Sequence, residues 1–328
     1  MVHWAKNVTE LVGRTPLMEL QRFSARAQEE NWSVGEAGSE VVAKVLAKLE
    51  MFGPSGSIKD RTALQMVYEA EIQGLLRPGS TIIEPTSGSM GIALASVAAA
   101  RGYHCILTMP DTVSIERRLL IQRLGAEIIL TPAAQGMRGA INKIIELRTT
   151  LPNMWYPQQF YNQANPRAHR DGTAIEIWEQ TAGTVDIVVI GVGTGGTLTG
   201  VAEGLRAQKP GVEVIAVEPA SCAVLSGGRP GPHRIEGLGA GFIPDTLRVD
   251  LIDRIVTVTD QHAVETAIRV MRDEGLSVGI SSGAVAWATL QEARKEQNRG
   301  KVIVTIFPSA AERYQQTILF DDLRTNAR

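Results

Sequence analysis

Seven short apolar runs rich in β-branched residues recur along the chain: VVAKVLAKLE, STIIEP, HCILTMP, AEIILTP, DIVVIGVG, VEVIAVEP and KVIVTIFP. Helical patterns lie between them, with candidates at Arg61 to Gln73, Gly91 to Ala100, Ser114 to Leu124 and Gly196 to Gln208. Many of the runs are apolar at successive positions, as strands covered on both faces must be, and several end in Gly or Pro. This alternation predicts an α/β fold with parallel sheets and crossover helices, in which ligands sit at the carboxyl ends of the strands. The glycine-rich segments fall there.

The composition narrows the partners. Over 328 residues, 33 basic side chains balance 35 acidic ones without a run of like charge, so neither nucleic acid nor an anionic membrane is an implied partner, and a small substrate is expected. The two cysteines, Cys105 and Cys222, are too few for a disulfide framework or a metal knuckle and read as buried thiols. The N-terminus lacks a basic region followed by an apolar run, and the alanine-rich stretch after Gly91 is broken by Arg101, which predicts a soluble, cytoplasmic protein. Residues 24 to 40 are polar and read as an exposed loop or insertion.

Four segments carry candidate chemistry. In GPSGSIKDR (residues 53 to 61), Lys59 follows a turn and opens a helical pattern. The positive helix terminus lowers the pKa of an amine, and a partly neutral amine can form a Schiff base; taken alone, the segment reads more readily as an ordinary surface lysine. In EPTSGSMGIALA (84 to 95), a strand gives way to small hydroxyl and glycine residues before a helix. Such a turn can hold a carboxylate on its unpaired N–H groups, or be a plain capped turn. VVIGVGTGGTLTG (188 to 200) places four glycines among six residues ahead of a helix, without the GxGxxG spacing of a dinucleotide site or the Lys of a P-loop. Its N–H groups, with Thr194 and Thr197, suit the phosphate of a smaller cofactor. GISSGAV (279 to 285) supplies paired serines at another strand-to-helix turn. A neutral hydroxyl beside a pyridine nitrogen would favour β-elimination and replacement over transamination.

In this order the four segments resemble the fold-type-II pyridoxal-phosphate enzymes, and within them the cysteine synthase (O-acetylserine sulfhydrylase) and β-substituted alanine synthase family. The likeness extends through LVGRTPL (11 to 17), PQQFYNQANPRAH (157 to 169), EIWEQT (176 to 181), SGGRPGPHRIEGLGAGFIP (226 to 244) and ERYQQT (312 to 317). The resemblance implies two doubly wound domains with mainly parallel twisted sheets and pyridoxal 5'-phosphate in the cleft between them. Residues 1–50 and 160–328 would form the larger, phosphate-binding domain, and 51–159 a smaller, partly mobile one. It implies that Lys59 carries the cofactor as an internal aldimine and removes the α-proton. Gly193, Thr194, Gly195, Gly196 and Thr197 would bind its phosphate, Ser281 would face its ring nitrogen, and Ser89 would contact it too. Thr86, Ser87, Gly88, Met90 and Gln159 would bind the substrate, with Gly237 lining the pocket. The implied reaction is β-replacement, O-acetyl-L-serine and sulfide giving L-cysteine and acetate through an α-aminoacrylate. A homodimer is implied, as is docking of the C-terminal tail of serine acetyltransferase; a purely regulatory binder of that tail is the rival reading.

The sequence departs from the family pattern around one pocket. Ser89 and Met90 replace the Asn-Thr of the usual TSGNTG loop, Gly53 replaces an Asn, Ala174 and Ile175 replace a Gly-Pro pair, and Ala310 and Ala311 replace a Ser-Gly. Ser has less reach than Asn, and Met would add an apolar, flexible surface. A different donor (O-phosphoserine or serine) or nucleophile (thiol, amine or cyanide) is therefore the alternative. His169 and His233 have no partner at ligand spacing, so packing rather than metal binding is expected. Arg117 and Arg118 read as a solvated or interdomain helix face.

Overall fold

A computed structural model of the chain describes residues 4–29 and 40–326. Ten strands occur among the described residues: β1 (Leu17–Glu19), β2 (Lys44–Leu49), β3 (Thr81–Pro85), β4 (His104–Pro110), β5 (Glu127–Thr131), β6 (Met154–Trp155), β7 (Val185–Gly191), β8 (Glu213–Pro219), β9 (Arg254–Val258) and β10 (Val302–Phe307). The helices are α1 (Gln21–Glu29), α2 (Lys59–Ile72), α3 (Ser89–Arg101), α4 (Ile115–Arg123), α5 (Gly136–Thr150), α6 (Ala164–Ala168), α7 (Ala174–Gln180), α8 (Gly196–Gln208), α9 (Asp260–Glu274), α10 (Ile280–Ala293) and α11 (Asp321–Asn326). The chain divides into two compact units, Met1–Gly13 with Gly53–Asn165, and Arg14–Phe52 with Pro166–Arg328.

The first unit is built on a four-stranded, wholly parallel sheet of order β5-β4-β3-β6. Ile82, Leu107 and Met109 from the strands pack with Leu94, Ala95 and Ala98 of α3, all essentially without solvent contact. The short turn Val8–Leu11 packs on α3, so the N-terminal segment, expected in the larger domain, clusters here. Gly102, in the left-handed region at φ 75°, closes α3 and returns the chain to β4.

The second unit holds a six-stranded sheet of order β1-β2-β10-β7-β8-β9, parallel apart from β1, which runs antiparallel to β2. Ile187, Val189, Ile215 and Val217 meet Ala284, Ala288 and Leu290 of α10 in its core. A register shift between Val302 and Ile303 interrupts the pairing of β10 with β7. There the Asp186 carboxylate takes over, accepting the Val302 N–H at 2.8 Å and the Lys209 ammonium at 2.7 Å. The polar stretch 24 to 40 is corrected in part: residues 24 to 29 complete α1, whose Leu20-side turn buries Phe23, while 30–39 lie outside the described residues.

One buried charge organises the start of this unit. Lys48, on β2, is fully buried and donates to the Thr15 carbonyl at 2.6 Å, the Glu176 carboxylate at 2.7 Å and the Gln180 amide oxygen at 2.8 Å. Glu176 also accepts the Arg14 N–H at 2.9 Å, and the Thr15 hydroxyl donates to buried Glu50 at 2.7 Å. The GRTPL and EIWEQ segments are thus fastened to one cation. Lys48→Met leaves the Glu176 carboxylate without its counter-charge, and removing one partner of a buried pair costs about 3–5 kcal/mol. A fall in Tm of several degrees, read by circular dichroism, is the expected result.

Candidate active site

In the first unit, residues 53–58 make the tight turn that delivers Lys59 to the start of α2. The Gly56 N–H donates to Gly53 O at 2.8 Å, and the buried Asp60 carboxylate accepts the Ser55 N–H at 2.8 Å and its hydroxyl. An acidic side chain in a first turn also complements the helix dipole. Lys59 is half-buried, and burial lowers its amine to about 8. Desolvation of the ammonium is the cause, where the sequence pointed to the helix terminus. An amine in that range is neutral part of the time near neutral pH, as a nucleophile toward a carbonyl must be.

The Thr86–Met90 turn leaves the carboxyl end of β3. Its Thr86 hydroxyl accepts the Gly88 N–H at 3.3 Å, Thr86 N–H donates to Thr108 O at 2.9 Å, and α3 then begins at Ser89, with Gly91 N–H donating to the Gly88 carbonyl at 3.1 Å. The Arg117 guanidinium donates to the Ser87 carbonyl, so the α4 arginine, read from sequence as a solvated or interdomain face, supports this loop from within the unit. Met90 needs correcting. Its side chain is 2% exposed and packs into the core with Ile92, Leu94 and Leu107, so it offers the substrate no apolar surface.

Gln159 lies in the same unit, buried, after Gln158, whose φ of 56° is left-handed and uncommon for a residue with a Cβ. Its backbone is held from both sides. The carboxylate of Glu84, the buried residue two before Thr86, accepts the Gln158 N–H at 3.1 Å and the Gln159 N–H at 3.3 Å. The Asn165 amide donates to the Gln159 carbonyl at 2.9 Å and accepts the hydroxyl of Thr62, one turn along α2 from Lys59, at 3.1 Å. Glu84, Asn165 and Thr62 therefore tie the elements that bear Lys59, the Thr86 turn and Gln159 together.

The second unit contains the glycine cup. Gly193, Thr194 and Gly195 lead from β7 into Gly196 and Thr197, the first residues of α8, whose N-terminal N–H groups face out of the helix end. Gly195 is left-handed, φ 85°. A Cβ on Gly193 would lie 2.1 Å from the Gly237 carbonyl oxygen, so the GLGAGF loop presses against the cup and only glycine fits. The Thr246 hydroxyl donates to the Thr194 carbonyl. His169, fully buried, bridges Thr197 Oγ1 at 3.2 Å and Thr173 Oγ1 at 2.9 Å. It was expected only to pack; the four-residue step from His169 to Thr173 is the one local signal that a side-chain pair was possible.

Ser281, also buried, sits in the first turn of α10, and the preceding Gly279 N–H is tied to Ser309 O at 3.0 Å. Ala311, the second residue of the replaced Ser-Gly pair, is buried in the core. His233 donates through Nε2–H to the Gly239 carbonyl at 3.1 Å, and among the described residues no cluster is placed to hold a metal ion. No helix among the described residues is long and apolar enough to cross a membrane. In the second unit a glycine cradle at a helix N-terminus suits a phosphate and a buried neutral hydroxyl suits a pyridine nitrogen, and in the first unit a lysine with a lowered pKa suits an aldehyde; each is a group that pyridoxal phosphate requires.

Comparison with known proteins agrees. Residues 8–309 match the family model described as pyridoxal-phosphate dependent enzyme. A cysteine synthase of Staphylococcus aureus is 46% identical over 319 residues, covering 96% of this chain and 98% of the relative. The crystal structure of cysteine synthase (OASS) from Entamoeba histolytica superposes with a TM-score of 0.91 at 43% identity, covering 97% of this chain and 91% of that one. An O-acetylserine dependent cystathionine beta-synthase from Helicobacter pylori superposes with a TM-score of 0.85 at 34% identity, over 97% of this chain and 100% of that one. By this match and by its parallel α/β architecture, the chain belongs to the pyridoxal-phosphate dependent enzyme family, with the fold-type-II form of fold.

Proposed function

We propose that the protein catalyses β-replacement on an O-acylated serine, with O-acetyl-L-serine as donor and sulfide as nucleophile, releasing L-cysteine and acetate. The observation that carries this reading is Lys59, an amine lowered to about 8 by burial at the head of a helix that shares a hydrogen-bond network with Gln159. The names of the similar proteins, cysteine synthase and an O-acetylserine dependent enzyme, point to the same chemistry.

Lys59 would hold pyridoxal phosphate covalently, and Gly193, Thr194, Gly195, Gly196 and Thr197 would receive its phosphate. His169 sets the Thr197 hydroxyl for that contact. Ser281 would present a neutral hydroxyl to the ring nitrogen, which favours its unprotonated form. Bound there, the cofactor withdraws electrons from the amino acid's α-carbon, which suits loss of the α-proton and of the β-substituent. Thr86, Ser87 and Gly88, with Gln159, seat the α-carboxylate and fix which α-bond faces the lysine. With the substrate's amino group bound, the Lys59 amine would take the α-proton. Acetate leaves from the β-carbon, sulfide adds there, and Lys59 returns a proton to the α-carbon. Gly237 lines the side from which the nucleophile enters. Cytoplasmic location, a homodimer and docking of the serine acetyltransferase tail belong to this same proposal.

Purified holoenzyme, offered O-acetylserine, O-phosphoserine and serine with sulfide, is expected to show its highest kcat/KM with O-acetylserine. A higher value for either other donor overturns the donor assignment. Ser89 stands where the family's Asn contacts cofactor and substrate. Ser89→Asn restores that reach, and one added hydrogen bond is worth about 1 kcal/mol, or about fivefold in kcat/KM for O-acetylserine. Unchanged donor kinetics would show that Ser89 does not set preference.

A further inference from the structure

Glu84 is the residue whose chemistry the reaction leaves unused. It is 1% exposed on β3, and no basic side chain pairs with it among the described residues. A buried carboxylate without a counter-ion costs several kcal/mol, so an apolar residue would serve packing better. Its two oxygens are instead divided between two consecutive backbone donors, Oε2 receiving Gln158 N–H and Oε1 receiving Gln159 N–H. The donors lie on a turn that Gln158 holds in the left-handed region, a conformation that persists only when its surroundings enforce it.

We propose that Glu84 is a positioning residue for amino-acid binding: its carboxyl group sets the Gln158–Gln159 backbone against the end of β3, and so aims the Gln159 side chain at the donor's α-carboxylate. The same strand runs directly into Thr86, Ser87 and Gly88. One side chain thereby fixes the spacing between the two halves of the carboxylate seat, the turn at 86–88 and Gln159. Asn165 holds the Gln159 carbonyl, so removing Glu84 frees the N–H side only. Burial pushes the Glu84 carboxyl up to about 8, and its hydrogen bonds to the two glutamine amides oppose that rise. Either protonation state keeps an acceptor oxygen for the turn. Glutamine at this position would place an NH2 group against one of the two N–H donors, which is why the amide is an informative replacement.

This inference rests on the reading that Gln159 binds the donor carboxylate, and the test separates the two. The probe is L-alanine, which has the α-carboxylate and amino group and no leaving group, titrated into holoenzyme through the cofactor's visible absorbance. It reports the carboxylate seat whatever the true donor is. Wild type, Glu84→Gln, Gln159→Ala and the double variant are compared, with cofactor content and Tm measured on each. Loss of one of the two bonds to the turn, with its N–H left facing an NH2 group, is expected to raise the alanine Kd about tenfold in Glu84→Gln while cofactor content stays at the wild-type level. Gln159→Ala raises Kd as well, and adding Glu84→Gln to it changes Kd less than about threefold, because the residue to be aimed is gone.

An alanine Kd within about twofold of wild type in Glu84→Gln, or full multiplication of the two single effects, overturns the proposal. Gln159→Ala with a wild-type Kd instead faults the assignment of Gln159, and with it the proposal. Should Glu84→Gln lose its fold or cofactor, Glu84→Asp decides: the shorter carboxylate cannot span both N–H groups, so a raised Kd in a folded, cofactor-loaded protein supports the positioning role and an unchanged Kd overturns it.

Discussion

Replacing Lys59 with alanine is expected to remove the absorbance of the covalently held cofactor and to lower turnover by about 10³-fold or more, since in the proposed reaction one side chain supplies both the covalent link and the proton transfer. Soluble pyridoxal phosphate can still occupy the glycine cup of the variant, so binding and chemistry separate: dialysis-sensitive cofactor without activity is the expected pattern. The pH dependence of the wild type follows from the same amine. Burial lowers it from 10.5 to about 8, so the apoprotein's lysine is protonated below that value and neutral above it. Only the neutral amine attacks the aldehyde. The rate of cofactor capture therefore rises as pH increases through about 8 and levels off above it, whereas an unburied lysine would keep the rate climbing toward 10.5. Rapid mixing of apoprotein with cofactor across that range reads the inflection directly.

The second large effect is expected at Gly193. Alanine there would put a Cβ 2.1 Å from the Gly237 carbonyl oxygen, a contact with backbone that no side-chain rotation relieves. Either the GLGAGF loop or the cup must move, and overpacking of this kind costs about 3 kcal/mol. Charged against cofactor binding, that is about two decades in affinity. Gly193→Ala should thus bind cofactor about 100-fold more weakly, with Lys59 still present to react. Gly211→Ala is a control: it lies in the turn before β8, and a Cβ there meets nothing within 4 Å. Equal cofactor affinity in the two variants would remove the cup from the phosphate site.

Much of this was legible in the sequence for a physical reason. Strands buried on both faces write themselves as apolar runs, and HCILTMP is β4 residue for residue, while Gly196 to Gln208 is α8 end to end. The strands that escaped are short or carry polar flanks. β1 and β6 have three and two residues, and β9 lies within DRIVTVTD. The chemistry-bearing turns were legible because glycine and small hydroxyl residues at a strand-to-helix junction are constrained by local geometry. What surrounds them was not. Glu84 and Asn165 reach the Gln159 backbone, and Thr62 reaches Asn165, only because a strand, a loop and two helices come together in three dimensions, and no spacing along the chain announces it. Burial of Lys59 is likewise a property of the packed turn, so the sequence identified the amine and assigned its lowered pKa to the wrong cause. Met90 misled in the opposite way: its place in the loop motif suggested a substrate contact, but the first turn of α3 directs it into the core.

The departures from the family pattern bear on preference more than on reaction type. Ser89 remains half-buried in the turn, where it is open to a ligand, whereas Met90, Ala174 and Ala311 are absorbed into packing. The proposed donor seat then comprises Thr86, Ser87, Gly88 and Gln159, with Ser89 as the position at which a changed substrate would register.

Isotopically labelled sulfide and O-acetyl-L-serine, given to the holoenzyme with the Lys59→Ala variant as control, test the proposed reaction most directly. β-Replacement at Lys59 requires labelled L-cysteine and acetate in equal amounts from the wild type and neither from the variant. Acetate released with pyruvate and ammonia but no labelled cysteine, or cysteine formed equally by the variant, would contradict it.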